Sequence, residues 1–209
     1  MMIYVVQGGR SMFFRNQLVL AALAFSAAAS AQIINMGVLD SFQVGYAADL
    51  NNGDSVINLT NDGALEPTGS GNLCVNIYAF DSVEELLACC ACMITPNGLA
   101  SLSVNESLRS NTAGGEKPPS MVIELVATST AGAPCDPTNV TAAQLAPGLR
   151  AWGTTLHALP GGRYGVTERA FSRTGLGATE LAQLKSFCSF IVSDGTGSGI
   201  CKGCSSGGQ

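Results

Sequence analysis

Leu73-Cys74-Val75-Asn76-Ile77-Tyr78-Ala79-Phe80, then Asp81-Ser82-Val83-Glu84, then Glu85-Leu86-Leu87-Ala88-Cys89-Cys90-Ala91-Cys92-Met93: this stretch decides the fold. Side chains alternate along an extended chain, so Val75, Ile77 and Ala79 share one face of a strand and Cys74, Asn76 and Tyr78 the other. Asp81–Glu84 is short enough to reverse direction, and Glu85–Met93 returns as a second strand of a hairpin. A helical turn at Val83–Ala88 is the competing reading, since Val83, Leu86 and Leu87 also sit at helical spacing. The hairpin brings Cys74 near Cys90 or Cys92, one of which it is expected to bridge. Cys89 and Cys90 are neighbours whose side chains point to opposite sides, and a bridge between them is strained. The cluster must therefore find distant partners or a metal.

Working outward, the beginning of the chain reads as an export signal. Arg10 and Arg15 are the only charges before Asp40, an apolar run follows from Leu18 to Ala29, and Ala29-Ser30-Ala31 is a small-residue cleavage site. Residues 1–31 are read as a signal peptide with cleavage after Ala31, and 32–209 as a single disulfide-rich domain. The apolar run is short for a membrane span, so no transmembrane segment is expected once it is removed. Cleavage removes two of ten basic residues and leaves eight against fifteen acidic ones, a net charge of −7. That balance disfavours nucleic acid as a partner. All eight cysteines follow residue 31, an even number in an exported chain, which points to disulfides among Cys74, Cys89, Cys90, Cys92, Cys135, Cys188, Cys201 and Cys204. The compartment is then the periplasm or the extracellular space.

The rest of the chain supplies more alternating runs: Phe42–Tyr46, Ser55–Asn61, Leu99–Val104, Met121–Thr128, Leu149–Leu159 and Tyr164–Phe171, with a further one at Ile33–Val38. Asn51-Asn52-Gly53-Asp54, Thr95-Pro96-Asn97-Gly98 and Pro160-Gly161-Gly162 are turns. Asn105–Ser120 and Ser129–Gly148 read as exposed loops, with Arg109 and Lys117 as charges free for a partner. One helix is expected over residues 178–192, where Leu181, Leu184, Cys188 and Ile191 recur at helical spacing between Gly177 and Gly195. A Gly/Ser-rich tail follows. Together these give a mainly β fold: a sandwich of about seven strands with one C-terminal helix, stapled by disulfides.

Cys74-Val75-Asn76-Ile77-Tyr78, the Cys89-Cys90-Ala91-Cys92 run leading into Thr95-Pro96-Asn97-Gly98-Leu99, Ala151-Trp152-Gly153-Thr154-Thr155-Leu156-His157 and the closing Cys201-Lys202-Gly203-Cys204 resemble a group of uncharacterised secreted bacterial cysteine-rich proteins. The resemblance covers most of the chain after residue 31 and implies export and a cysteine framework. It implies no chemistry.

Candidate chemistry is sparse. Cys89, Cys90, Cys92, Cys201 and Cys204 offer soft thiolates that a metal would accept, against which stands an oxidising compartment. Cys201-Lys202-Gly203-Cys204 lacks the helix start that activates a redox pair. His157 is the sole imidazole, so a small secreted hydrolase would have to use it. Asp49, Asn51 and Asp54 lie in a loop without the calcium-loop order, and Glu84-Glu85 diverge as neighbours do. No catalytic residue, cofactor or metal is assigned. The expectation is an exported non-enzymatic structural, adhesive or ligand-binding module, its partner unknown and at the cell envelope or beyond. A cysteine-ligated metal-binding protein and a hydrolase using His157 are the alternatives.

Overall fold

The computed structural model describes residues 40–65, 71–130 and 134–203. The signal-peptide reading, the strand read at Ile33–Val38 and Cys204 lie outside them. Nine strands are present in the described residues, in two antiparallel sheets. In chain order they are β1 (Phe42–Ala47), β2 (Asp54–Asn61), β3 (Leu73–Phe80), β4 (Leu86–Ile94), β5 (Leu99–Ser103), β6 (Met121–Ser129), β7 (Leu149–Leu159), β8 (Arg163–Ala170) and β9 (Ser172–Arg173). The five-stranded sheet runs β4-β3-β6-β1-β9 and the four-stranded sheet β5-β2-β7-β8. Among the described residues one α-helix, α1 (Ala178–Ser193), lies between Gly177 and Gly195.

The hairpin reading of Leu73–Met93 holds. β3 and β4 pair antiparallel with Ile77 opposite Cys90 and Val75 opposite Cys92. Asp81 Oδ1 closes the turn by accepting from the Val83 and Glu85 amides, both at 2.9 Å. β3 is buried on both faces. Its inner residues Val75, Ile77 and Ala79 join Ile57, Leu59, Leu125 and Leu149 in the core between the sheets. Its outer face lies under α1, where Tyr78 packs with Leu181, Leu184, Cys188 and Ile191. On that outer face Asn76 Nδ2 donates to the Val126 carbonyl at 2.9 Å while its Oδ1 is enclosed without a donor, and the Tyr78 hydroxyl donates to Pro137 O at 2.7 Å. Burial, then the Asp136 and Glu124 charges, push the Tyr78 phenol far above its ordinary range.

Three bridges join described residues: Cys74–Cys135, Cys89–Cys188 and Cys90–Cys201. Cys92 is also disulfide-bonded. The expected bridge from Cys74 to Cys90 or Cys92 is thus corrected. Opposite residues share a face, so Cys90 and Cys92 face inward with Ile77 and Val75, while Cys74 faces outward with Asn76 and Tyr78. Cys89 shares the face of Cys74 but stands opposite Tyr78, too far along the strand. The loop after β6 brings Cys135 instead. Adjacent cysteines serve opposite layers: Cys89 fastens α1 to the outer face, and Cys90 fastens the tail to the inner one. The tail also covers the free edge of β4, with the Cys89 amide donating to Gly199 O at 2.8 Å.

Asn105–Ser120 is not a free loop. A π-helical turn (Val104–Leu108) and a 3-10 turn (Arg109–Asn111) bury Val104 and Leu108. Arg109 is not free for a partner either. Its guanidinium donates to the carbonyls of Leu50, Lys117 and Pro118 and to the side chains of Asn51 and Asn105. A planar fork of donors fits a cluster of carbonyls that an ammonium could not span.

Candidate functional site

Along the inner face of β7 the residues are Leu149, Ala151, Gly153, Thr155 and His157. The first two are buried in the core, and after them the face turns small and polar. The sandwich core therefore ends part-way along β7, and a cleft of about 440 Å³ opens between β7–β8 and the β1 edge. β8 contributes Thr167, opposite Thr155, and Arg169, opposite Gly153. The far wall comes from Val44, Gly45 and Tyr46 of β1, with Phe171 where the chain crosses from β8 to β9. The Phe171 ring lies so close over Gly45 that a Cβ there would be 2.4 Å from it. Glycine at 45 is what lets the ring line the cleft.

His157 holds the polar end. Its Nε2 is 3.1 Å from Thr167 Oγ1, and its Nδ1 is 3.4 Å from Asp49 Oδ2. Asp49 sits at φ 59° in the loop after β1, where its carbonyl accepts from the Asn52 and Gly53 amides. Behind the imidazole, Ser55 Oγ and Thr155 Oγ1 are 3.1 Å apart. The Arg169 guanidinium makes no hydrogen bond or ion pair with the described residues, in contrast to those of Arg109 and of Arg150, which binds Asp40 and Asp62.

The other candidates do not assemble. Asn51 Oδ1 accepts from Arg109, and Asp54 accepts from the amides of Ser55 and Asn105 and the Ser103 hydroxyl, so Asp49, Asn51 and Asp54 do not converge on a cation. No group of three or more His, Cys, Asp or Glu among the described residues is arranged to hold a metal. Cys89, Cys90 and Cys201 are in disulfides, which takes their thiolates from the metal alternative. Three disulfides are compatible with an extracellular or periplasmic protein, and no helix among the described residues is long and apolar enough to cross a membrane. Comparison with protein-family models, curated proteins and solved structures finds no match.

Sequence reasoning singled out His157 but not Thr167, Arg169 or Tyr46. The turn at Pro160-Gly161-Gly162 was the available signal: it sets His157 opposite Gly165 and so puts Thr167 one diagonal away. The β1 wall has no such local signal.

A second cleft, of about 380 Å³, lies beside α1 and contains Asp81, Glu84, Glu124 and Glu180 with Phe80 and Phe187. Glu124 Oε2 is enclosed and receives no donor, and the Glu180 carboxyl lines the same cleft; two carboxyls can share a hydrogen bond only when one of them keeps a proton. Burial, then the Glu180 charge and that bond, push the Glu124 carboxyl up to about 7. A carboxyl raised in the folded state stabilises it fully below the unfolded value near 4.5, and that stability is lost as pH rises through about 7. The partial exposure of Glu124 screens the effect, leaving about 1–2 kcal/mol between pH 4.5 and 7.5. Urea unfolding of Glu124→Gln should lose this slope and be the more stable protein at pH 8. An unchanged slope would refute the pairing.

Proposed function

We propose that the chain is an exported binding module, released by cleavage after Ala31, that takes a small carboxylate-bearing ligand in the cleft between β1 and β7–β8. The observation that carries this reading is Arg169: a guanidinium on the wall of a concave site, with no acceptor among the described residues, in a chain of net negative charge. Ligand sites combine apolar walls with a few placed polar groups, and here Tyr46 and Phe171 supply the wall while Thr155, Thr167 and His157 supply hydroxyls and an imidazole. An arginine fork binds a carboxylate through two parallel hydrogen bonds. The rigid, stapled frame supports such a site by holding its walls before the ligand arrives.

Calorimetric titration with acetate, lactate and a hexuronate tests this reading. Saturable binding should occur for at least one of them, and Arg169→Gln should weaken it ten-fold or more, about 1.4 kcal/mol. Heats that never saturate, or binding that Arg169→Gln leaves intact, would reject it.

A further inference from the structure

Asp49, His157 and Thr167 form an ordered relay at the mouth of the cleft. The 3.4 Å approach of Asp49 Oδ2 to Nδ1 favours the tautomer with the proton on Nδ1, which leaves Nε2 as an acceptor. The Thr167 hydroxyl, 3.1 Å from Nε2, then donates to it. A hydroxyl bonded to an imidazole whose other nitrogen faces a carboxylate is the arrangement that activates an alcohol as a nucleophile. The carboxylate comes from the β1–β2 loop, the imidazole from β7 and the hydroxyl from β8, so the three meet only in the folded sandwich. The relay opens onto free volume: His157, Thr167 and Arg169 all line the cleft, whose wall at Val44 and Phe171 is apolar enough for a short acyl chain.

We propose that this relay is a hydrolytic centre for small carboxylic esters, with Thr167 as nucleophile and His157 as base. The Thr167 oxygen attacks the ester carbonyl carbon, forming a C–O bond as its proton passes to His157 Nε2. Arg169, two residues along the same face of β8, takes the negative charge that develops on the carbonyl oxygen. Collapse breaks the bond to the leaving alcohol, which receives the proton from Nε2. Water, the co-reactant, then gives a proton to Nε2 and attacks the acyl-threonine. The carboxylic acid leaves, and the proton returns to the Thr167 oxygen. Asp49 is a positioning residue, fixing the tautomer and stabilising the imidazolium. The proposal does not rest on carboxylate recognition by Arg169: ester turnover and carboxylate binding are read by different measurements, and either can fail alone.

The test uses the full oxidised protein purified after export, a fluorophosphonate probe and p-nitrophenyl acetate. The probe should add one phosphonyl group per chain, on the peptide that contains Thr167. Thr167→Val and His157→Gln should each abolish the adduct and lower the ester rate at least ten-fold, with unchanged unfolding midpoints. Thr154→Val, on the opposite face of β7, should leave both intact. Asp49→Asn should lower kcat at least ten-fold with KM and the unfolding midpoint unchanged; a merely structural loss would move KM or the midpoint. An adduct that survives Thr167→Val, or ester rates equal in wild type, Thr167→Val and His157→Gln, would overturn the proposal.

Discussion

Replacing Cys74 and Cys135 by alanine is expected to lower the unfolding free energy by about 4 kcal/mol, more than replacing Cys89 and Cys188, although the second pair closes the longer loop. In the chain-entropy picture a bridge matters by the size of the loop it alone closes. Cys74 and Cys135 are 61 residues apart, and Cys89 and Cys188 are 99 apart. When the second pair is removed, however, Cys90–Cys201 still holds residue 90 to residue 201. The route from 89 to 188 is then only 1 + 13 residues beyond that bridge, which corresponds to about 3 kcal/mol. No comparably short route spans Cys74 and Cys135. Packing points the same way, because α1 keeps Leu181, Leu184 and Ile191 buried without its bridge, each worth about 1.5–3 kcal/mol. The segment after Cys135 buries Val140 and Ala146, with Ala142 and Leu145 packed beside them, and holds the Tyr78 hydroxyl bond, a smaller apolar set than the three large side chains of α1. Urea unfolding of the two double variants decides the matter, and a larger loss for Cys89/Cys188 would refute the ordering.

Gly53→Ala should be the most damaging single substitution in the turn before β2, at about 3 kcal/mol. A Cβ on residue 53 would stand 1.8 Å from the Leu156 carbonyl oxygen, where the β2–β7 ladder starts with Asp54 opposite Leu156. Gly53 cannot swing aside, since its amide donates to Asp49 O at 2.8 Å and its carbonyl accepts from Asn105 at 2.8 Å. The strain falls on backbone that carries both partners of the Asp49–His157 contact, so the imidazole resonances should move as well. Gly177→Ala, with nothing within 4 Å of the added Cβ, should cost under about 1 kcal/mol. Equal unfolding midpoints for the two variants would show that β7 yields without cost.

The hairpin could be read because its information is local. Alternation in Leu73–Phe80 and a four-residue polar turn specify a reversal without reference to the rest of the chain, and the helix stripe from Leu181 to Ile191 is equally self-contained. Strand β9 went unread because a pair as short as Ser172–Arg173 has no period to detect. The partner of Cys74 was misjudged for a different reason. Closeness in the hairpin was inferred, but which face each cysteine takes depends on register, and register fixes Cys90 and Cys92 on the side that Cys74 leaves. The segment 105–120 looked like loop because its backbone partners are distant: Arg109 is held by Leu50 and Pro118, and no window of sequence contains all three. The cleft is the extreme case. Tyr46, His157 and Arg169 meet because β1 and β8 lie toward the same open side of two sheets, and sheet order is the part of a β fold that sequence states least directly.

The three bridges among described residues link the first of their six cysteines to the fourth, the second to the fifth and the third to the sixth. Every bridge is interleaved with the other two. A chain emerging from its N-terminus therefore presents Cys74, Cys89, Cys90 and Cys92 together before any of the described partners exists. The pairs that can form early, within that quartet, are all non-native, and two of the native ones wait for residues 188 and 201. Maturation is consequently a matter of undoing as much as of oxidation: thiol–disulfide exchange must clear the early pairs through mixed intermediates. An oxidant alone would leave misbridged protein, and a host that supplies a disulfide isomerase would raise the yield of the native form.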